Sequence, residues 1–309
     1  MPRGSRFPLP EELGLTEGEA PPPLSVVVPA REGYAEVAEL MAQMAPAAAA
    51  VGAEVVVVGD VTDADLDFAE ELRAVRAPVA DMQVLHQRGL EAARGEVVAI
   101  GEDHAVPRPE WWGAVIRAHR EHPQAPAIAG CLVNATDATL AGRANFLAFA
   151  APWQPPMPTL PAHRPPPSST FSIKRSALGG IDSKAPGWLE AELIPGLFAA
   201  GEIVADDRIV VDHHQDHGSL WAVTNAFHSA RSSYGYERSR LTAAERREVA
   251  RWALTRLPGR LRGEARQASA GRRMPGREAA LIALIALAAG LGGAIGVSFG
   301  GGRSADLVA

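Results

Sequence analysis

Leu24–Pro29, LSVVVP, is a short β-branched run closed by a proline, and two stretches of the same kind follow it: EVVVV at Glu54–Val58 and EVVAI at Glu96–Ile100. All three are continuously apolar rather than alternating, the pattern of strands buried on both faces. Between them lie segments with helical spacing. Tyr34–Met44 carries Val37, Leu40, Met41 and Met44 on one side, Asp65–Arg76 reads as a helix, Leu90–Arg94 is helical and ends at Gly95, and Pro109–His119 is a further helix. Strands that alternate with helices predict an α/β fold, with a Rossmann-like, mostly parallel sheet flanked by helices. Ligands of such sheets sit beyond the carboxyl ends of the strands. Here those ends carry Ala30–Glu32, Gly59–Asp63 and Gly101–His104, all polar or glycine-containing, and together they place a nucleotide-sized cleft.

After Cys131 the pattern weakens. Ala151–Pro167 is proline-rich and predicts a surface loop, while Thr170–Ile173 resumes as a short strand. Gly187–Ala200 reads as a helix interrupted near Pro195, and Ile203–Val211 as one or two strands. Cys131 is the sole cysteine, which excludes an intrachain disulfide and a multi-cysteine zinc site. Met1–Pro23 is rich in Pro, Glu and Gly and lacks the apolar core of a signal peptide, so it reads as a disordered leader.

The net charge of −6 is unevenly spread: Arg246–Arg277 holds ten arginines against Glu248 and Glu264. A basic segment beside an acidic body argues against nucleic-acid binding and for a local contact with an anionic surface. Within it, Val249, Trp252, Leu257 and Leu261 recur at roughly helical spacing, so 241–278 predicts a basic amphipathic segment next to a membrane, the alternative being a solvated helix packed on the body. Ala279–Gly302 contains no charge. As a helix it would be roughly 36 Å long, enough to cross a hydrocarbon core of about 30 Å. This predicts a single transmembrane helix over 279–302 followed by a short tail at 303–309, the alternative being a buried core helix. The arginines on its N-terminal flank would place the large body in the cytoplasm. Gly292, Gly296 and Gly300 share one face suited to packing against a partner helix.

The succession SVVVPAREGYAEV, EVVVVGDVTD and GLEAARGEVVAIGEDHAVPRPEWW, continued by STFSIKRSALGGI, GWLEAELIPGLFAAGEIV and VVDHH, resembles the family 2 glycosyltransferases of GT-A type over roughly Leu24–Arg240. The resemblance implies a glycosyltransferase domain over 24–240 that takes a nucleotide-sugar donor. Pro29, Ala30 and Glu32 would open the nucleoside pocket, and Asp60 would bond the base or ribose, with Gly59 standing where the family often has Asp. Glu102-Asp103-His104 matches the family's Asp-x-Asp motif. Glu102 and His104 would then hold Mn²⁺ or Mg²⁺ with Asp103 on the diphosphate side. His213 or His214 would complete the metal site, with His214 the one assigned. Arg88, or His86 two residues earlier, matches a position near the pyrophosphate. Glu190 matches the base that deprotonates the acceptor, with Glu192 as its competitor and Leu189 replacing a second acid. Such an enzyme at a membrane would meet a lipid-linked acceptor or a surface glycan. The alternatives are a membrane-tethered nucleotide-binding or scaffold protein without turnover, motivated by the altered triplet and Leu189, and a nucleotidyltransferase, for which Ala30-Arg31-Glu32-Gly33 is a poor phosphate loop.

Overall fold

The computed structural model describes residues 20–78, 81–136, 138–157, 167–179, 181–182, 187, 189–215, 217–269 and 274–307. The first half of the fold runs β1 (Leu24–Ala30), α1 (Tyr34–Ala49), β2 (Glu54–Gly59), β3 (Leu72–Arg76), α2 (Met82–Ala92), β4 (Val97–Ile100), β5 (Ala105–Pro107), α3 (Trp111–Glu121) and β6 (Ala127–Asn134). There follow α4 (Leu140–Phe149), β7 (Phe171–Lys174), α5 (Arg175–Leu178), a π turn at Leu189–Leu193, α6 (Ile194–Ala200), β8 (Val204–His213), and the helices α7 (Ser219–Glu237), α8 (Ala243–Thr255), α9 (Leu257–Ala268) and α10 (Gly276–Phe299). The chain divides into two compact units, Met1–Val133 with Pro155–Asp212 and Asn134–Gln154 with His213–Ala309.

The eight strands form one sheet in the order β3-β2-β1-β4-β7-β6-β8-β5. The three apolar runs of the sequence are its parallel centre: β1 pairs with β2 and with β4, and β2 with β3. The sheet is mixed rather than all parallel, because β7 enters antiparallel between β4 and β6. A second departure from expectation lies at 65–76. That stretch is a short 3₁₀ turn at Asp63–Asp65 followed by β3, not a helix. As the edge strand, β3 is covered on one side only and tolerates Arg73 and Arg76, and the acidic residues before it imitate the solvent face of a helix. The interruption near Pro195 is a π turn running into α6, whose second residue is that proline.

The core of the first unit joins Val27, Val56, Val58, Val98 and Ile100 of the strands to Leu85 and Leu90 of α2 and Leu197 of α6. Below it, at the strand starts, Glu54 is 4 % exposed. Its carboxylate accepts hydrogen bonds from Ser25 Oγ at 2.6 Å, from Arg94 N–H at 2.5 Å and from Arg94 Nε at 2.9 Å. A buried carboxylate satisfied this way leaves its partners stranded when it is removed. Glu54→Ala is expected to cost about 3–5 kcal/mol in chemical denaturation, because it removes the buried carboxylate to which Ser25, Arg94 and Arg73 are joined at the strand starts.

The second unit is helical, and α10 lies at its centre. Leu281, Ile282, Ile285, Ala286 and Ala289 pack with Ala222, Ala226, Leu261 and Ala265. The glycine face that the sequence assigns to a partner helix meets α7 of the same chain: a Cβ on Gly292 would stand 2.1 Å from Phe227 O, and one on Gly296 would stand 2.3 Å from Arg231 O. Glu278, in the first turn of α10, is fully buried and bonded by Arg143 Nε at 3.0 Å. By length and composition α10 could cross a membrane, yet 61 % of its most apolar stretch is buried within the protein. Its remaining face is a stripe of leucines, with Leu284, Leu287 and Leu291 exposed by 55 %, 56 % and 49 %.

Candidate active site

The three strand tips expected to hold a ligand lie side by side. Ala30 ends β1 in register with Gly59 of β2, and Gly101 follows β4 with its N–H bonded to Val27 O at 2.7 Å. Gly59 has a steric reason, since a Cβ there would lie 2.1 Å from Ala30 O. A carboxylate cannot be carried at this position, and the first one past β2 is that of Asp60. Asp60 is exposed and only 3.5 Å from the equally exposed Arg76 Nε, a weak surface pair. Past Ala30 the chain turns through Gly33, whose φ of 99° suits glycine, and α1 begins. Glu32 sits exposed in that turn, and its N–H donates to Glu36 Oε2 at 2.9 Å.

Beyond β4 stands the triplet. His104 Nδ1 lies 2.5 Å from Asp103 Oδ1, and His104 Nε2 lies 3.4 Å from Glu102 Oε2. Burial by itself would lift the Asp103 carboxyl, but hydrogen bonds with His104 and Glu36 outweigh it and hold the group at about 2. His104 is pulled the opposite way by burial, yet its bond to Asp103 and the nearby charges of Glu102, Asp103 and Glu36 raise it above its ordinary value. Glu36 was not singled out by the sequence. Partial desolvation of its carboxyl and the hydrogen bond it shares with Asp103 push it up to about 7. Two carboxyls sharing one proton beside a third carboxylate and an imidazole form a donor set of hard oxygens and one nitrogen, which fits Mn²⁺ and, less well, Mg²⁺. Glu36 was missed because a glutamate in the first turn of a helix has an ordinary reason to be there.

The triplet loop is supported from beneath. His86, buried on α2, places Nε2 3.3 Å from Gly101 O, and burial lowers its basicity. Arg88, on the same helix, is 59 % exposed at its side chain and pairs with Glu91 at 3.6 Å, so of the two candidates it is His86 that reaches the β4 tip. After the triplet, Arg108 grips Asp212 of β8 with contacts of 2.8, 3.0 and 3.1 Å. No local spacing pairs these two, which lie 104 residues apart. One residue further, His213 ends β8 and is buried, whereas His214, the histidine assigned from the sequence, is exposed.

Glu190 and Glu192 belong to the π turn at Leu189–Leu193. The turn is tied to the first turn of α2, where Leu189 N–H donates to Gln83 Oε1 at 3.1 Å. Because α2 returns antiparallel to the strands, that first turn stands at their carboxyl edge. The Glu190 side chain and Trp188 lie outside the described residues.

No protein-family model matches the chain, and no curated protein matches it. Solved structures do. A structure described as a mycobacterial protein aligns at TM-score 0.46 and 16 % identity over 70 % of this chain and 74 % of its own. TarS residues 1–349 of S. aureus align at TM-score 0.41 and 14 % identity over 79 % and 80 %. Glucosyl-3-phosphoglycerate synthase of Mycobacterium tuberculosis, solved with Mn²⁺, uridine diphosphate and glucosyl-3-phosphoglycerate, aligns at TM-score 0.46 and 17 % identity over 75 % and 84 %.

Proposed function

We propose that the protein is an inverting glycosyltransferase that moves a sugar from a nucleoside diphosphate sugar to an acceptor hydroxyl. The observation that carries this reading is the Glu102-Asp103-His104 cluster with Glu36, placed on the same sheet edge as the Ala30 and Gly59 tips. Pro29, Ala30 and Glu32 flank the nucleoside, and Asp60, held only by a weak exposed pair, is available to the base or ribose. Glu102 and His104 would hold a divalent cation, with Asp103 beside them. When bound, the cation neutralises the charge that builds on the departing diphosphate. The protein's own groups do the rest. Asp103, ionised throughout the neutral range, fixes the His104 ring through Nδ1 and leaves Nε2 directed toward Glu102. Glu190 takes the proton from the acceptor hydroxyl as it attacks the anomeric carbon from the face opposite the leaving group.

Two measurements test this. Mn²⁺ binding followed by electron paramagnetic resonance should weaken about tenfold or more in His104→Ala and in Glu102→Gln. Transfer from a panel of nucleotide sugars should fall about 10²–10⁴-fold in Glu190→Gln. Unchanged transfer in that variant removes the proposed base, and nucleotide binding with no transfer by the native chain favours the scaffold alternative.

The acceptor is proposed to lie at a membrane, lipid-linked or part of a surface glycan. Support comes from the leucine stripe of α10 and from the arginines of α8, α9 and the residue that joins them, of which Arg247, Arg251, Arg256, Arg262 and Arg266 are exposed. In this reading α10 keeps its glycine face on α7 and presents Leu284, Leu287 and Leu291 to the acyl region, with the arginines at anionic headgroups. Replacing all three leucines by Gln is expected to release the protein from sedimenting anionic vesicles, and undiminished sedimentation would refute the membrane role of the stripe.

A further inference from the structure

At the edge of the sheet opposite the strand tips, the first unit contains a second cavity, of ≈ 310 Å³. It opens where β1 and β4 begin and β7 ends, and its walls include Glu96, Ile116, His119, Arg120, Lys174 and Arg175. Three of these are cations and one is an anion, so the cavity carries an excess of about two positive charges. His119 adds none, because burial and the nearby Lys174 charge push it down to about 4.

Arg175 is the unusual member. Its residue is only 1 % exposed, yet among the described residues no carboxylate is bonded to it. Nε donates to Gly95 O at 2.9 Å and Nη2 donates to Ala93 O, while Nη1 is buried without a partner. His119 repeats the pattern: Nε2 meets Ser172 Oγ at 2.9 Å and Nδ1 is buried without a partner. Buried polar groups are nearly always satisfied, and an unsatisfied charged donor is more costly than a neutral one. The unsatisfied Arg175 guanidinium in a positively charged wall calls for an acceptor-rich guest. A guanidinium beside an ammonium matches the oxygens of a phosphate better than it matches water. Ile116 and Val97 supply an apolar wall, and the volume suits a small molecule.

We propose that this cavity binds a phosphate group, as the free ion or on a small monoester, at a site separate from the strand tips. A ligand there would bridge β4, α3 and the β7–α5 junction. Because β4 carries the triplet loop at its other end, occupancy would act on the position of that loop through a single short strand.

The test uses the full chain with ¹⁵N-labelled histidine, in EDTA and at constant ionic strength, so that a cation-dependent diphosphate site does not contribute. Inorganic phosphate and glycerol phosphate are titrated in parallel while the His119 ring signals, assigned by their loss in His119→Gln, are followed. Saturable movement of the His119 signals is expected in the native chain, with tighter binding of the monoester if the natural ligand is an ester and equal binding if it is the free ion. In the double variant Arg120→Ala, Lys174→Ala, apparent affinity should weaken about tenfold or more. Arg175→Lys, which keeps the charge but loses the fork, should weaken it as well and serves if the double variant does not fold. Motionless His119 signals up to tens of millimolar phosphate, or affinity unchanged in these variants, would overturn the proposal.

Discussion

Asp103→Asn is expected to lower sugar transfer about a thousandfold while leaving the fold intact. The side chain contributes little to the core, since Asp103 lies in a partly buried loop past β4. What it contributes is charge. With its carboxyl held at about 2, Asp103 is ionised at every working pH, and it fixes the His104 ring through a 2.5 Å bond. The amide keeps the shape but loses the negative charge, and it turns an acceptor of two hydrogen bonds into a group with one acceptor oxygen. Glu36, raised mainly by desolvation, would also lose the hydrogen bond with Asp103 that helps to raise it. Steady-state transfer at saturating Mn²⁺, together with a circular dichroism spectrum matching the native chain, checks the prediction. A loss of less than tenfold would place Asp103 outside the reacting centre.

The second large effect is structural. Gly292→Leu should unfold or aggregate the helical unit, with a loss of about 3 kcal/mol or more, above the usual cost of overpacking. The colliding atom is a backbone oxygen, Phe227 O, only 2.1 Å from the place a Cβ would take. A side chain can rotate aside, but the carbonyl of a packed helix can yield only if α7 and α10 separate along their length. Gly259→Ala is the matched control, because a Cβ there meets nothing within 4 Å. A melting temperature for Gly292→Leu equal to that of the native chain would mean that the two helices do not pack as described.

Several features of this molecule could be read from the chain before any coordinates. The strands β1, β2 and β4 were legible because a run such as EVVVV has no use except burial on both faces, and the strand ends located the candidate site for the same reason. β3 was not legible: at the sheet edge its exposed side carries arginines, and acidic residues precede it, so its pattern is neither continuous nor alternating. The antiparallel insertion of β7 was equally hidden, since strand direction depends on where the chain returns and no local residue records it. In the candidate site, the triplet was singled out by its place after a strand and its likeness to a family motif, while Glu36 and the Arg108–Asp212 clasp required knowing which distant segments meet. The arginine-rich stretch and the apolar terminal segment are helical, as α8, α9 and α10, but composition does not distinguish a helix surrounded by lipid from one surrounded by Ala and Leu of its own chain.

That last ambiguity has a practical consequence. A tail anchor can be clipped away to liberate a well-behaved soluble catalyst. Here α10 is the hub against which α4, α7, α8 and α9 are assembled, and it carries Glu278, the buried partner of Arg143. A polypeptide ending before Gly276 would leave α7 with a bare groove where Gly292 and Gly296 had nested, so shortening the protein to improve its solubility should make it stickier instead.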